Sequence, residues 1–361
     1  MMEPRAERSP HTFQTFETSE GGQIFRIPMH LFPDLWGYAY LVQMEDGLVL
    51  IDTGSGFGDS NSQLEAGFEQ ASEAAGRTIR FSDLDHILIT HGHIDHFGGL
   101  VFLQERTDAL VGIHELDMGN LTNYEERVAI SEIRLKAYLV EAGVPEARRE
   151  DILNMYRVNK MLFHSVRVDF TYEAKGMRLG AFEMLHVPGH CAGHVIIRLH
   201  KHLFGGDHVL GRISPHQNPE RLTLSTGLGH YLDSLTVLEK WAGSSSVVLA
   251  GHDDPITDLP ARLEEIRQGH AARLKRTLEF LATPHTIAEV ADTLFGHVDG
   301  YHALLALEEA GAHVEFLHQH GSLRIVNLDE LGSIDCPSLT LYQSLNRPES
   351  KNITKRDTLG T

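Results

Sequence analysis

The stretch Thr90-His91-Gly92-His93-Ile94-Asp95-His96 follows directly on the apolar run Ile87-Leu88-Ile89. A short run of β-branched and leucine residues bounded by polar residues predicts a buried strand, so the histidines begin where that strand ends. Strand ends are where layered α/β proteins place their functional sites. Three histidines and an aspartate within six residues therefore indicate half of a metal site, and we expect other strand ends to supply the rest.

The sequence around this stretch alternates between predicted strands and predicted helices, which indicates an α/β layered domain. Strands are predicted over residues 23–27, 38–42, 47–51 and 109–113, and they resume after residue 170. Residues 115–165 interrupt the alternation, because apolar residues recur there at helical spacing. We expect a helical pair inserted into the domain, which serves either as additional packing or as a lid beside the site.

From Pro260 onward the pattern changes again. Helices are predicted over residues 261–282, 286–292 and 300–310, and strands over 313–317 and 322–326 flank a His-Gln-His-Gly turn. This order is typical of a winged-helix module. The predicted organisation is a flexible lead-in (1–20), a catalytic domain (21–259), a winged-helix-like domain (260–330) and a polar tail (331–361).

Composition limits the classes of function. The chain has 361 residues, 42% of them hydrophobic, and a formal net charge of −19, which disfavours nucleic acid and anionic membranes as partners. No apolar run approaches the roughly 20 residues needed to cross a bilayer, and from the charged residues at 1–8 we expect no secretory signal. Only Cys191 and Cys336 are present, which argues against a disulfide framework and predicts a cytoplasmic protein.

Three further strand ends carry ligand-type residues next to glycine. His190 ends Val187-Pro188-Gly189-His190, Asp207 follows Gly205-Gly206, and His252 follows Gly251. Imidazole and carboxylate ligands without a thiolate suit zinc, manganese or iron.

The ordered set H-x-H-x-D-H, P-G-H, G-G-D and G-H, preceded by Ile51-Asp52-Thr53-Gly54, resembles the metallo-β-lactamase-fold hydrolases, and most closely their glyoxalase II-like branch. The resemblance covers residues 22–258. It implies an αββα sandwich, in which two mixed β-sheets pack face to face with helices outside. It also implies two divalent metal ions, zinc in the first place, with manganese or iron as the alternatives. By the resemblance, one metal is bound by His91, His93 and His190, the second by Asp95, His96 and His252, and both by Asp207.

Such a centre predicts hydrolysis, because two neighbouring cations activate a bridging water and polarise the substrate carbonyl. Asp95 and Asp207 are then the catalytic carboxylates. The substrate that we expect is a small molecule, namely an acyl thioester or a related ester or lactone. Met155 and Tyr156 of the inserted helices would form a wall of its pocket, and Tyr231 would lie near the substrate.

Two other functions compete with this one. A winged-helix tail after this fold resembles a mitochondrial endoribonuclease of the same superfamily, but residues 260–330 contain six Lys/Arg against eleven Asp/Glu, and a nucleic-acid module should carry a basic stripe. We therefore interpret the module as packing or as a homodimer contact. A non-catalytic binding protein with the same fold is disfavoured by the complete set of ligand-type residues.

The remaining residues near these motifs receive structural interpretations. Asp52 is expected to orient the metal loop, His194, His208 and His114 to have supporting roles, and Cys191 to be a weak candidate for a nucleophile. His30, His200, His202, His216 and the C-terminal histidines are expected at the surface.

Overall fold

Two β-sheets form the centre of the protein. The computed structural model describes residues 11–45, 47–243, 247–332 and 336–345. The first sheet has seven strands in chain order, antiparallel from β1 to β4 and parallel from β4 to β7. Its strands are β1 (Gln14–Glu17), β2 (Gln23–Phe32), β3 (Leu35–Met44), β4 (Gly47–Ile51), β5 (His86–Leu88), β6 (Leu110–Ile113) and β7 (Phe170–Thr171).

The second sheet has five strands in the order β12-β11-β10-β9-β8, and only β11 and β12 run parallel. Its strands are β8 (Arg178–Leu179), β9 (Phe182–His186), β10 (Val195–Leu199), β11 (His202–Gly206) and β12 (Val247–Ala250). Both sheets are therefore mixed, as the sequence predicts.

Ten α-helices accompany the sheets in the described ranges. They are α1 (Ser60–Ala75), α2 (Ile94–Phe97), α3 (Leu100–Gln104), α4 (Glu115–Thr122), α5 (Tyr124–Glu141), α6 (Glu146–Lys160), α7 (Leu228–Ala242), α8 (Leu259–Phe280), α9 (Ile287–Phe295) and α10 (Gly300–Gln319). Single 3-10 turns lie at Phe81–Asp83, Glu173–Lys175 and Leu328–Glu330. None of the helices in these ranges combines the length and apolar character needed to span a bilayer.

Strand alternation produces the layers, because successive side chains point to opposite faces of a sheet. Leu48 and Leu50 of β4 pack outward in a cluster with α1 and α3, whereas Val49 and Ile51 pack inward against the second sheet. The outer face of the second sheet, which includes Ile196, is covered by α7 and α8. The αββα sandwich expected from the sequence is confirmed.

The inserted helices and the C-terminal helices share one apolar core. Leu139 of α5 and Ile152 of α6 are buried in the same cluster as Val290 of α9 and Leu307 of α10. Helices α5 and α6 of the insertion therefore pack with α9 and α10 in a single helical layer beside the sheets, which neither pattern indicates by itself.

The strand expected over residues 313–317 is wrong, because α10 continues through them to Gln319. Gly311 does not end the helix. It allows α5 to approach, since a Cβ at this position would lie 1.9 Å from the Tyr138 hydroxyl oxygen, which donates to the carbonyl of Leu307. Buried residues three and four apart then continue along α10 beyond this contact.

The expected second wing strand is present in part as β13 (Leu323–Ile325). Its antiparallel partner is β14 (Tyr342–Ser344), which lies in the segment expected to be a polar tail. Residues 14–17, expected in the lead-in, form β1 at the edge of the first sheet. The rest of the lead-in at 1–10 and the tail at 346–361 lie outside the described residues.

Candidate metal centre

The expected ligand-type residues come together from four strand ends. His91 follows β5, and the chain then enters α2, in which His93 is the N-cap and Asp95 and His96 lie in the single turn. His190 comes after β9, Asp207 directly follows β11, and His252 comes after β12. The ends of these strands therefore meet, as their positions in the sequence predict.

The first cluster consists of His91, His93 and His190. One ligand nitrogen from each lies within 4.8 Å of the others. His91 Nε2 is 3.1 Å from His93 Nδ1, and the rings of His93 and His190 are perpendicular with their centroids 4.6 Å apart. Ligand atoms bound to one cation at about 2.0–2.1 Å must themselves be close neighbours, so this cluster suits one ion.

The second cluster consists of Asp95, His96, Asp207 and His252, whose ligand atoms also lie within 4.8 Å of one another. His252 Nε2 is 3.3 Å from Asp95 Oδ2 and 3.3 Å from Asp207 Oδ2. Asp207 Oδ1 is 3.4 Å from His96 Nε2. Because Asp207 Oδ2 is also 3.9 Å from His190 Nε2, this carboxylate lies between the two clusters.

The ligand histidines are oriented through their other ring nitrogen. Such bonds fix both the tautomer and the direction of the ring, which leaves Nε2 free to bind a metal. Nδ1 of His96 donates to the carboxylate of Asp52 at 2.7 Å. Nδ1 of His190 donates to the carbonyl of His216 at 2.7 Å, and Nδ1 of His252 donates to the carbonyl of Trp36 at 2.6 Å.

Asp52 has the orienting role expected from the sequence. Besides holding His96, its carboxylate accepts from the backbone N–H of Thr90 at 2.8 Å and from the Thr90 hydroxyl at 2.9 Å. The Thr90 oxygen is 3.1 Å from His91 Nδ1, so one carboxylate stabilises ligands of both clusters.

Three ligand atoms are buried without a hydrogen-bond partner among the described residues: His96 Nε2, His190 Nε2 and Asp207 Oδ1. A buried polar atom without a partner costs about 1–3 kcal/mol, so each such atom requires an explanation. These three come from separate strand ends and lie where the two clusters adjoin, so divalent cations bound there would satisfy them. The residues therefore fit a dinuclear site, and the imidazole and carboxylate donors suit zinc, manganese or iron.

The electrostatics agree with this fit. Burial opposes a charge on His96 and His252, but neighbouring carboxylates, chiefly that of Asp207, raise the pKa of both. Burial likewise opposes ionisation of Asp207, yet the adjacent imidazoles of His252 and His96 lower its pKa. Burial lowers the pKa of His190. The site thus gathers ionised carboxylates around positions where positive charge is stabilised.

Asp117 is a component of the centre that the sequence analysis missed. This fully buried carboxylate accepts from the backbone N–H of Gly92 at 2.8 Å and of Gly193 at 2.9 Å. It also accepts from the thiol of Cys191 at 3.1 Å. Gly92 lies between two ligands and Cys191 follows a third, so Asp117 clamps both loops of the first cluster. An aspartate in the first turn of α4 carries no local signal of this contact.

Cys191 is not in the state of a nucleophile. Burial and the neighbouring carboxylate of Asp117 raise the pKa of its thiol well above the usual value, whereas reactive cysteines have a lowered pKa and are accessible. The weak expectation of a nucleophile therefore receives no support from its surroundings.

The expected substrate residues lie in different environments. Tyr231 is fully buried, and its hydroxyl donates to the carbonyl of His208 at 2.9 Å, which keeps it inside the core rather than beside a substrate. Met155 and Tyr156 pack against the shared helical core.

The supporting histidines are mostly as expected. His194 Nε2 accepts from the backbone N–H of Asp207 at 3.0 Å, and His114 Nε2 is paired with Glu173 at 2.7 Å. The expectation of surface positions is wrong for three histidines, which are buried because they face neighbouring elements: His202, His270 and His313.

Comparison with known proteins identifies the family. A model of the metallo-beta-lactamase superfamily matches residues 35–252. The chain is 25% identical over 297 residues to the "Probable metallo-hydrolase YqjP" of Bacillus subtilis (strain 168), in a match that covers 77% of this chain and 86% of that protein.

Solved structures agree. A metallo-beta-lactamase family protein from Thermus thermophilus superposes with a TM-score of 0.70 at 26% identity, covering 89% of this chain and 98% of the other. A beta-lactamase domain protein from Burkholderia ambifaria shares the fold, with a TM-score of 0.71 at 20% identity over 95% of this chain and 97% of the other. The family match spans the strand ends that carry both clusters, and the chain therefore belongs to the metallo-beta-lactamase superfamily as a metallo-hydrolase.

Proposed function

We propose that the protein hydrolyses a small acyl thioester, or a related ester or lactone, as a glyoxalase II-like enzyme with two zinc ions. The observation that carries this proposal is the position of Asp207 between the two clusters, 3.4 Å from His96 Nε2 and 3.9 Å from His190 Nε2. A single carboxylate facing two sets of imidazoles suits two adjacent cations. When bound, they would supply a hydroxide nucleophile at neutral pH and polarise the scissile carbonyl.

The chain's own residues would have distinct parts in the reaction. His91, His93 and His190 would hold one cation, and Asp95, His96 and His252 the other. Asp207 would keep the two cations at a fixed separation. Asp95, whose side chain is the most exposed of the second cluster at 17%, would take up a proton at its carboxylate on the side that faces solvent.

The surroundings of the centre support a small substrate of low negative charge. Glu308 and Glu309 of α10 lie beside the segment that holds the ligand His190, because Glu308 Oε2 is 3.0 Å from His216 Nε2 and Glu309 Oε2 accepts from the backbone N–H of Gln217 at 2.8 Å. Carboxylates at this place repel a polyanion, which disfavours RNA.

The test is a substrate panel on protein loaded with zinc, with manganese and iron in parallel. The panel contains S-lactoylglutathione, acyl-CoA thioesters, lactones, aryl esters and single-stranded RNA. His93→Ala removes one ligand of the first cluster, and Asp207→Ala removes the carboxylate that lies between the two clusters. Met118→Ala, on the exposed side of α4, is the matched control.

We expect turnover of a thioester, ester or lactone that falls more than about 10³-fold in both ligand variants and is unchanged in the control. Cleavage of RNA that disappears in the same variants, without acyl turnover, would instead assign the protein to the endoribonucleases of the superfamily. A cytoplasmic location agrees with the two free cysteines, Cys191 and Cys336, and fractionation of cells would test it.

A further inference from the structure

His190 is oriented differently from the ligand histidines His96 and His252. The Nδ1 atoms of His96 and His252 bond to Asp52 and Trp36, which belong to the first sheet or its strand end. His190 Nδ1 instead donates to the carbonyl of His216, in the connection between Asp207 and α7. No helix or strand lies within residues 208–226, all of which are described. A carbonyl in such a segment is only as fixed as the contacts that hold the segment.

Arg262 of α8 holds the earlier part of this segment by donating to the carbonyls of Leu210 at 2.6 Å and Ile213 at 2.8 Å. The contacts next to the His216 carbonyl come from α10. The backbone N–H of Gln217 donates to Glu309 Oε2 at 2.8 Å, directly after the carbonyl that holds His190. His216 Nε2 is 3.0 Å from Glu308 Oε2. The carboxylates of α10 thus replace the strand partner that would normally fix a backbone segment of this kind.

Glu309 is itself fixed from several sides. It is 7% exposed, and its Oε1 is 3.5 Å from Arg273 Nη1 of α8. His313 Nδ1, one turn further along α10, donates to the Glu309 carbonyl at 2.7 Å. A buried carboxylate with a cationic partner and a backbone donor has a defined position, so it can transmit that position to the segment it binds.

We infer that Glu309 is a positioning residue for the metal ligand His190, through the backbone of His216 and Gln217. The helices after residue 260 would then be a structural part of the metal centre rather than a separate module. This inference rests on the proposed function only in that His190 binds a cation.

The experiment measures the dissociation constants of the two zinc ions by competition with a chelating indicator. Glu309→Ala is compared with Glu315→Ala, a matched control on the same helix. Glu315 accepts from the backbone N–H groups of Glu220 at 2.6 Å and Arg221 at 3.2 Å, so it holds the same connection but not the carbonyl at His216. Partners of metal-binding histidines typically change affinity 10–100-fold.

We expect Glu309→Ala to bind one of its two zinc ions about tenfold more weakly, with hydrolysis restored by excess zinc, and Glu315→Ala to match the wild type. Equal affinities in the two variants would overturn the inference. If Glu309→Ala does not fold, Glu309→Gln is compared with Glu315→Gln. Zinc binding about threefold weaker in Glu309→Gln supports the inference, and equal zinc affinities in the two variants overturn it. His190→Ala separates the two proposals, because unchanged binding of two ions in that variant would refute the metal assignment itself.

Discussion

Substitution of Asp117 by alanine should weaken both the fold and the first metal position. It leaves the buried N–H groups of Gly92 and Gly193 without the acceptor that they now reach at 2.8 and 2.9 Å. Each such loss costs about 1–3 kcal/mol, so the pair amounts to roughly 2–6 kcal/mol. Burial raises the pKa of Asp117, so removal of this buried charge offsets part of the loss, and we expect a net loss within this range.

The assay is urea unfolding of the protein in excess chelator, followed by zinc titration of the folded variant. We expect the free energy of unfolding to fall by the loss worked out for the Gly92 and Gly193 hydrogen bonds. We also expect the affinity of the first cluster for zinc to fall about 10–100-fold. Met118→Ala, on the neighbouring exposed position of α4, should stay within about 0.5 kcal/mol of the wild type. A folded Asp117→Ala with unchanged zinc affinity would refute the idea that this carboxylate clamps the two loops.

Three further predictions concern other sites. Cys191→Ala should retain kcat/KM within about threefold, because the buried thiol only donates to Asp117; a loss of several hundredfold would indicate covalent catalysis. Burial, and then His313 and Arg273, lower the pKa of His270 to about 2. The unfolded chain therefore binds the extra proton, and stability is lost as the pH falls below about 6.5. We expect the free energy of unfolding, measured in urea with chelator present, to fall between pH 6 and pH 4 by about 2–3 kcal/mol less in His270→Asn than in the wild type. Identical pH profiles for the two proteins would contradict this. Gly311→Ala should lower the melting temperature by several degrees, because its Cβ would meet the hydroxyl of Tyr138, whereas Gly229→Ala, with its nearest contact at 3.8 Å, should change it little.

The metal clusters are predictable from the sequence because their signals are local. Each ligand follows an apolar run that forms a strand, and a glycine or proline marks the turn after it. Once the strands are placed in one sandwich, their ends must meet. The seven ligand positions therefore follow from residue type and order, and the structure gathers all of them into two clusters.

Apart from Asp52, the residues that orient the ligands are not predictable in this way. Asp117 is one aspartate among many in a helix, and the bond from His190 uses a backbone carbonyl, which leaves no side-chain pattern at His216. Glu309 looks like a solvated acidic residue of an exposed helix, yet it is buried against Arg273. Contacts between segments far apart in sequence become visible only when the packing is known.

The C-terminal helices show the same limit at the level of the fold. Alternating apolar residues at 313–317 suit a strand or a helix that is buried on several sides, and only the packing of α10 decides between them. Gly311 then signals a close approach of α5 rather than a helix end.

Two cations held on either side of Asp207 are what the proposed hydrolysis requires, and the number of metal ions per chain is the decisive measurement. Elemental analysis of protein saturated with zinc and freed of excess ion should give two ions per chain for the wild type. His190→Ala should retain about one ion per chain, and hydrolysis should cease on chelation and return when two equivalents are restored. A wild-type protein that is fully active with one ion or none would rule out a dinuclear centre.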